Sequence, residues 1–374
     1  MSATIDIRRY LLLASVFVLI GGAIYFLQDK PAVSSVSAQP LTVIPVAEKE
    51  RRFSKARELV APAGFINTDN LPITIREQIG KKVILVDFWT YSCINCHRVQ
   101  PYLNAWHEKY EDEGLLIIGV HTPEFAFEEE YENVVNATKE FGIKYPVVLD
   151  NDYGTWRAYQ NRYWPRKYLI DIDGYIVYDR IGEGGYEDTE KTIQRLLHER
   201  NAKLGESAPV STGLATPAGA EVFAKRPNRS PETYFGARRN SRLGNVPAGA
   251  IGVQRLSLPE NITLKKDTAY LSGTWDIQSE YAKGDSNGSI KMRFTGSKVY
   301  MVARSDEGAS LRVFIDGNPA SVAGAAGSDV DASSLLRVDE DRLYKVIEMM
   351  KPGEHVLEVI IEDGMPEVFT FTFG

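Results

Sequence analysis

Between residues 57 and 204, short and almost wholly apolar runs alternate with amphipathic stretches of helical length, and that alternation leaves few folds open. KKVILVDFW, LLIIGVH and YPVVLD read as buried strands. RVQPYLNAWHEKYEDEG reads as a helix with Val99, Leu103 and Trp106 on one side. EEEYENVVNATKEFG is a second helix, ended by Gly142, and TEKTIQRLLHERNAK a third. KYLIDIDGYIVYDRIG is a β-hairpin turning at Asp173-Gly174. One α/β domain with helices covering a sheet accounts for this order. Glu128-Glu129-Glu130 reads as the solvated start of the second helix, where the macrodipole favours acids.

Residues 205–236 are rich in Gly, Pro, Ala and Ser and read as a linker. From 237 to 374 the pattern is almost all strand: SIKMRFTG, SKVYMVARS, LRVFIDG, HVLEVIIEDG and EVFTFTF, with Gly-containing turns between them. This predicts an all-β sandwich of jelly-roll type. DEDRLYKVIEMM fits either helix or strand.

The amino terminus carries a different signal. Tyr10 to Leu27 is an 18-residue stretch without a charge, preceded by Arg8 and Arg9. As a helix it spans about 27 Å, close to the thickness of a bilayer's hydrocarbon core. The expected order is a cytoplasmic tail over 1–9, a transmembrane anchor over 10–27 and a tether over 28–56. That places the protein in the inner (cytoplasmic) membrane as a single-pass chain, with both globular domains extracytoplasmic, or periplasmic. A cleaved signal peptide ending near Val36-Ser37-Ala38 is the alternative.

The chain has 374 residues but only two cysteines, Cys93 and Cys96, which excludes a disulfide-stapled scaffold and a four-cysteine zinc site. A net charge of −7 argues against nucleic acid as a partner. The pair forms C-x-x-C between a buried strand and the start of a helix. There the free helical N–H groups and the macrodipole stabilise a Cys93 thiolate, which becomes a nucleophile near neutral pH. Cys96, one turn on, can resolve a mixed disulfide by attacking Cys93. The redox-active Cys93–Cys96 disulfide then needs no cofactor and no metal. Asp87 lies inside the apolar strand, six residues before Cys93. Burial should raise its pKa and let it take a proton from the resolving thiol. Trp89 is placed to shield the site.

Other readings share these residues. Cys93-x-x-Cys96-His97 satisfies the pattern for covalent c-type haem attachment. Thr90-x-x-Cys93 matches part of a peroxiredoxin pattern, which implies a thiol peroxidase. A structural disulfide, or a binding or scaffold protein whose β-sandwich carries the function, completes the set. His97 is most simply a helix-surface residue adding positive charge near the thiols. His107, His121, His198 and His355 read as solvated or packed.

The segment VDFWTYSCINCHRVQPYL resembles the thioredoxin superfamily, in which D-F-W precedes C-x-x-C with the same offsets. WTYSCINC…PYL followed by GVHTPEFAFE is similar to extracytoplasmic TlpA/DipZ-type proteins. That resemblance implies a thiol–disulfide oxidoreductase, most simply a disulfide reductase, acting on protein thiols and disulfides. It also implies a cis proline at Pro165, which would present the Trp164 backbone to an extended substrate. Trp89, Trp164 and Pro165 are thus the expected substrate-binding residues. Ser230 to Tyr234 looks like the start of a carbohydrate-binding-module-like domain. A cell-wall glycan or a protein is its implied ligand, with Tyr270, Trp275, Tyr281 and Tyr300 as either an aromatic platform or core. Two departures stand out. Val99 replaces a glutamate that many TlpA-like reductases carry, and a single predicted helix replaces the multi-helix electron-transfer domain of DipZ proteins. A reductase of this form needs a separate membrane electron donor of the DipZ/CcdA type.

Overall fold

The computed structural model describes residues 44–69, 71–220, 229–258 and 263–374. The expected tail and anchor, and most of the expected tether, lie outside those residues. No helix among the described residues is long and apolar enough to cross a membrane.

The first region runs α1 (Val46–Arg52), β1 (Gly64–Ile66), β2 (Val83–Trp89), α2 (Ile94–Tyr110), β3 (Leu115–His121), α3 (Tyr131–Glu140), β4 (Val147–Leu149), α4 (Gly154–Ala158), β5 (Arg166–Ile170), β6 (Ile176–Ile181) and α5 (Tyr186–Leu204). Its strands form a sheet in the order β1-β4-β3-β2-β5-β6. The β2–β3 and β3–β4 ladders are parallel, and β2–β5 and β5–β6 are antiparallel. β2 is buried at every residue, which is why it reads as a continuous apolar run. Val99, Leu103 and Trp106 of α2 are fully buried, as their spacing requires. The hairpin turns at Gly174, whose φ of +84° suits glycine.

Two expectations change here. The charged stretch expected to be tether contains α1, docked through a buried lysine. Lys49 Nζ lies 2.6 Å from both Asp171 and Asp173 and also pairs with Glu199. Glu128 does not start a solvated helix: it lies in a 3₁₀ turn, Ala126–Glu129, and is fully buried.

The second region holds β7 (Thr233–Tyr234), β8 (Gly252–Leu256), β9 (Thr268–Ile277), β10 (Ala282–Gly284), β11 (Ser289–Arg304), β12 (Ala309–Ile315), β13 (Asn318–Pro319), β14 (Leu335–Val338), β15 (Arg342–Asp363) and β16 (Glu367–Phe373). They follow the path β13-β12-β15-β11-β16-β10-β9-β8, with β14 on β12 and β7 on β16. SIKMRFTG and SKVYMVARS are not two strands but one, β11. Gly296 does not turn; it faces Gly353 of β15, and the ladder shifts register just beyond it. A Cβ on Gly296 would stand 3.0 Å from the Gly374 carbonyl, so the glycine admits a close backbone approach. DEDRLYKVIEMM resolves as strand, because β15 runs from Arg342 through it to Asp363.

The two regions share one buried apolar cluster. Phe369 of β16 packs on Phe125 and Phe127, each at 4.9 Å between ring centres. Arg98 of α2 donates to the Tyr300 hydroxyl of β11 at 3.2 Å. Phe369→Ala should cost about 3 kcal/mol or more, the usual penalty for emptying a buried aromatic site. Denaturant unfolding of the two proteins measures it; a loss under about 0.5 kcal/mol would mean the interface is not packed as described.

Candidate active site

The fully buried β2 ends at Trp89, and the chain passes through Thr90, Tyr91 and Ser92 before Cys93 caps α2. Cys93 has extended backbone angles (φ −84°, ψ 109°), and its Sγ accepts a hydrogen bond from the Cys96 amide at 3.3 Å. Both cysteines are free thiols; Cys93 is partly exposed and Cys96 is buried behind it. One thiol therefore meets solvent and the other faces the protein interior.

Below them lies Asp87, 1% exposed, with Oδ1 lacking a hydrogen-bond partner among the described residues. Burial pushes its pKa up to about 7, against the opposing pull of Lys167. Lys167 stands directly across the β2–β5 ladder from Asp87, is fully buried, and donates to the Gly182 carbonyl at 3.3 Å. Burial lowers its pKa, against the attraction of Asp87. Burial and contact with Cys93 push the Cys96 thiol well above its usual range. A carboxyl and a thiol that are both reluctant to ionise can pass one proton between them.

A cleft of about 440 Å³ opens at Cys93. Ser92, Asn95, Arg162, Tyr163 and Trp164 line it from the first region, and Arg229 to Glu232 and Tyr234 from the second. The Trp164–Pro165 peptide is cis. Trp164 donates from Nε1 to the Thr122 carbonyl at 3.0 Å and packs on Trp156. Of the three expected substrate residues, Trp164 lines the cleft, and Pro165 is buried beside it. Trp89 is fully buried against His121 and Phe141, where no substrate reaches it.

The histidines also depart from expectation. His97 Nε2 lies 2.5 Å from the Tyr91 carbonyl, and its ring packs on Phe141. Desolvation pushes its pKa down to about 4, against the pull of that carbonyl, so it adds no positive charge near the thiols at neutral pH. The same contact keeps Nε2 from turning outward as a haem ligand would. His121 is packed, with burial taking its pKa to about 3. Thr90 is buried, with Oγ1 3.4 Å from the His121 ring.

The sequence reading missed three groups. Glu128 accepts backbone hydrogen bonds from Ser92 (3.1 Å), Glu124 (2.6 Å) and Phe125 (3.1 Å), tying the Cys93 loop to the cleft wall. Nothing local marks it, because its acidic neighbours make it look solvated. Lys167 carried little signal, because it is the second of two cations, Arg166-Lys167, that open its strand. The third is a cluster across the regions. The Tyr234 hydroxyl lies 2.9 Å from Glu124 Oε1 and 2.9 Å from Glu232 Oε2, while Arg239 donates to Glu124 at 2.6 Å.

A family model described as Redoxin matches residues 54–197, and one described as Thioredoxin like C-terminal domain matches residues 230–374. Thiol-disulfide oxidoreductase ResA of Bacillus cereus is 31% identical over 134 residues, which make up 35% of this chain and 74% of ResA. The chain belongs to this thioredoxin-like oxidoreductase family. DipZ of Mycobacterium bovis is 36% identical over 321 residues, covering 85% of this chain but only 43% of that protein. The chain thus spans under half the length of its DipZ relatives. A solved thioredoxin-like protein in the oxidized form aligns with 39% of this chain at 28% identity, covering 97% of that structure with a TM-score of 0.36.

The Asp87 shift has a consequence for stability. The folded pKa of about 7 stands above the unfolded value near 3.8. Below that lower value both states are protonated and nothing is lost. As pH rises to about 7 only the unfolded state ionises, so folding stability falls. Asp87→Asn should therefore match wild type near pH 4 and exceed it at pH 8 by up to about 4 kcal/mol, a figure that already contains the pull of Lys167. Urea unfolding at several pH values tests this; a difference independent of pH would contradict the assignment.

Proposed function

We propose that the protein is an extracytoplasmic thiol–disulfide oxidoreductase that reduces protein disulfides through Cys93 and Cys96. The observation that carries this reading is the asymmetric pair: Cys93 caps α2 at the cleft while Cys96 is buried next to Asp87's strand. The Cys93 thiolate attacks one sulfur of the substrate disulfide. The substrate S–S bond breaks, a mixed disulfide forms, and the first substrate thiolate leaves and takes up a proton. Cys96 then gives its proton to Asp87 and attacks Cys93 Sγ, expelling the second substrate thiolate. Two electrons have passed to the substrate, and the pair is left as a disulfide. The redox group is the protein's own.

A membrane electron donor of the DipZ/CcdA type returns the pair to its reduced form. An anchor over 10–27, with the amino terminus in the cytoplasm, holds the described regions outside; its charge-free length and Arg8-Arg9 support this. We take the second region as a jelly-roll sandwich that binds or walls in protein substrates rather than glycan. Tyr270, Trp275 and Tyr300 are buried, so those three offer no exposed platform to a sugar.

Cys93→Ser should abolish disulfide reduction, and Cys96→Ser should accumulate mixed disulfides visible on non-reducing gels. Retained turnover in Cys93→Ser would sink the mechanism. Titration of the pair against dithiothreitol should give a potential below about −230 mV for a reductase, whereas a value above about −150 mV would make it an oxidant or isomerase.

A further inference from the structure

We propose that the second region is the specificity element of the reaction. Its Arg229–Tyr234 segment walls the cleft over Cys93, so that disulfides carried on extended polypeptide segments enter and those on the face of a folded protein do not. The proposal rests on Cys93 being the attacking thiol.

The wall is a fixed part of the molecule. Phe369 packs against both Phe125 and Phe127. The Tyr234 hydroxyl reaches Glu124 from across the cleft, and Arg239 lies both on Glu124 and over the Tyr234 ring at 3.8 Å. An apolar contact closed over by charge-assisted hydrogen bonds holds the regions in one arrangement.

Size then decides what reaches the thiol. A cleft of about 440 Å³ is the volume of a ligand pocket. Docking of two folded proteins needs roughly 800 Å² of matched surface on each partner, which a thiol set inside a cleft does not offer. A second hollow of about 400 Å³ adjoins the first, with Trp164, Glu124 and Arg239 lining both. An extended chain fills such a space, whereas a small disulfide uses one end of it.

The lining is polar on both sides. Arg162 stands on the near lip and Glu232 on the far one, both exposed, and Arg162 has no ion-pair partner among the described residues. Both lips carry both signs, Arg162 and Glu124 on the near one and Glu232, Arg229 and Arg239 on the far one, which suits a peptide whose side chains and backbone can meet both.

Single-turnover reduction by the reduced full-length chain tests this with three disulfides: an unstructured peptide disulfide, bis(2-hydroxyethyl) disulfide and a folded protein with one surface disulfide. Wild type should reduce the peptide about a hundredfold faster than the folded protein. Pro231→Trp, at an exposed cleft position, should slow the peptide about tenfold more than it slows bis(2-hydroxyethyl) disulfide. Glu232→Lys, which tests the same wall without adding bulk, should reverse the ranking of Lys-flanked and Glu-flanked peptides. Equal wild-type rates for the peptide and the folded protein would overturn the proposal, as would peptide rates unchanged in both variants. A wild type inert to all three disulfides would overturn the thiol–disulfide reading itself, and this proposal with it.

Discussion

The Glu128 carboxyl accepts three backbone N–H groups in a fully buried position. One belongs to Ser92, immediately before the outer thiol, and two belong to Glu124 and Phe125. Those two residues begin the wall on which the second region docks. Burial raises the pKa of Glu128, and a protonated carboxyl still accepts at its oxygens, so the tie does not require a buried charge. The position of Cys93, the shape of the cleft and the docking of Phe369 all follow from the loops this side chain joins.

From there the site is organised in depth. Cys93 faces the cleft, Cys96 lies behind it, and Asp87 and Lys167 face each other across neighbouring strands beneath. Each step inward removes water and makes ionisation costlier, except where an opposite charge compensates. This gradient separates an outer sulfur that meets solvent from an inner one that burial keeps protonated. The same principle governs Lys49, whose buried ammonium is tolerated because Asp171, Asp173 and Glu199 surround it.

The second region contributes shape to this chemistry. Its long strands β11 and β15 cross as one ladder, bulged near the Gly296–Gly353 pair, and they carry Tyr300 to Arg98 on the thiol-bearing helix. β16, buried at every residue, delivers Phe369 to the interface, and β7 pairs with it to place Tyr234 over Glu124. The aromatic residues that a sugar platform would need are largely spent on the core.

Local pattern was enough to read β2 to β6 with α2, α3 and α5, though not the short β1 and α4, and to read the junction that carries Cys93 and Cys96 and the burial of Asp87. Each depends on spacing within a few residues, where periodicity reports directly which face is inside. The same local view misread Glu128 as solvated, His97 as charged, Trp89 as a substrate contact and α1 as tether. Burial of those groups is decided by elements distant in sequence: Glu199 for Lys49, Phe141 for Trp89 and His97. Tertiary structure alone set Lys167 across from Asp87, merged two predicted strands into β11, joined the ambiguous DEDRLYKVIEMM to the next strand in β15, and raised the far wall of the cleft. Hydrogen-bond register and close packing between segments as far apart as Phe125 and Phe369 leave no trace in the order of neighbouring residues.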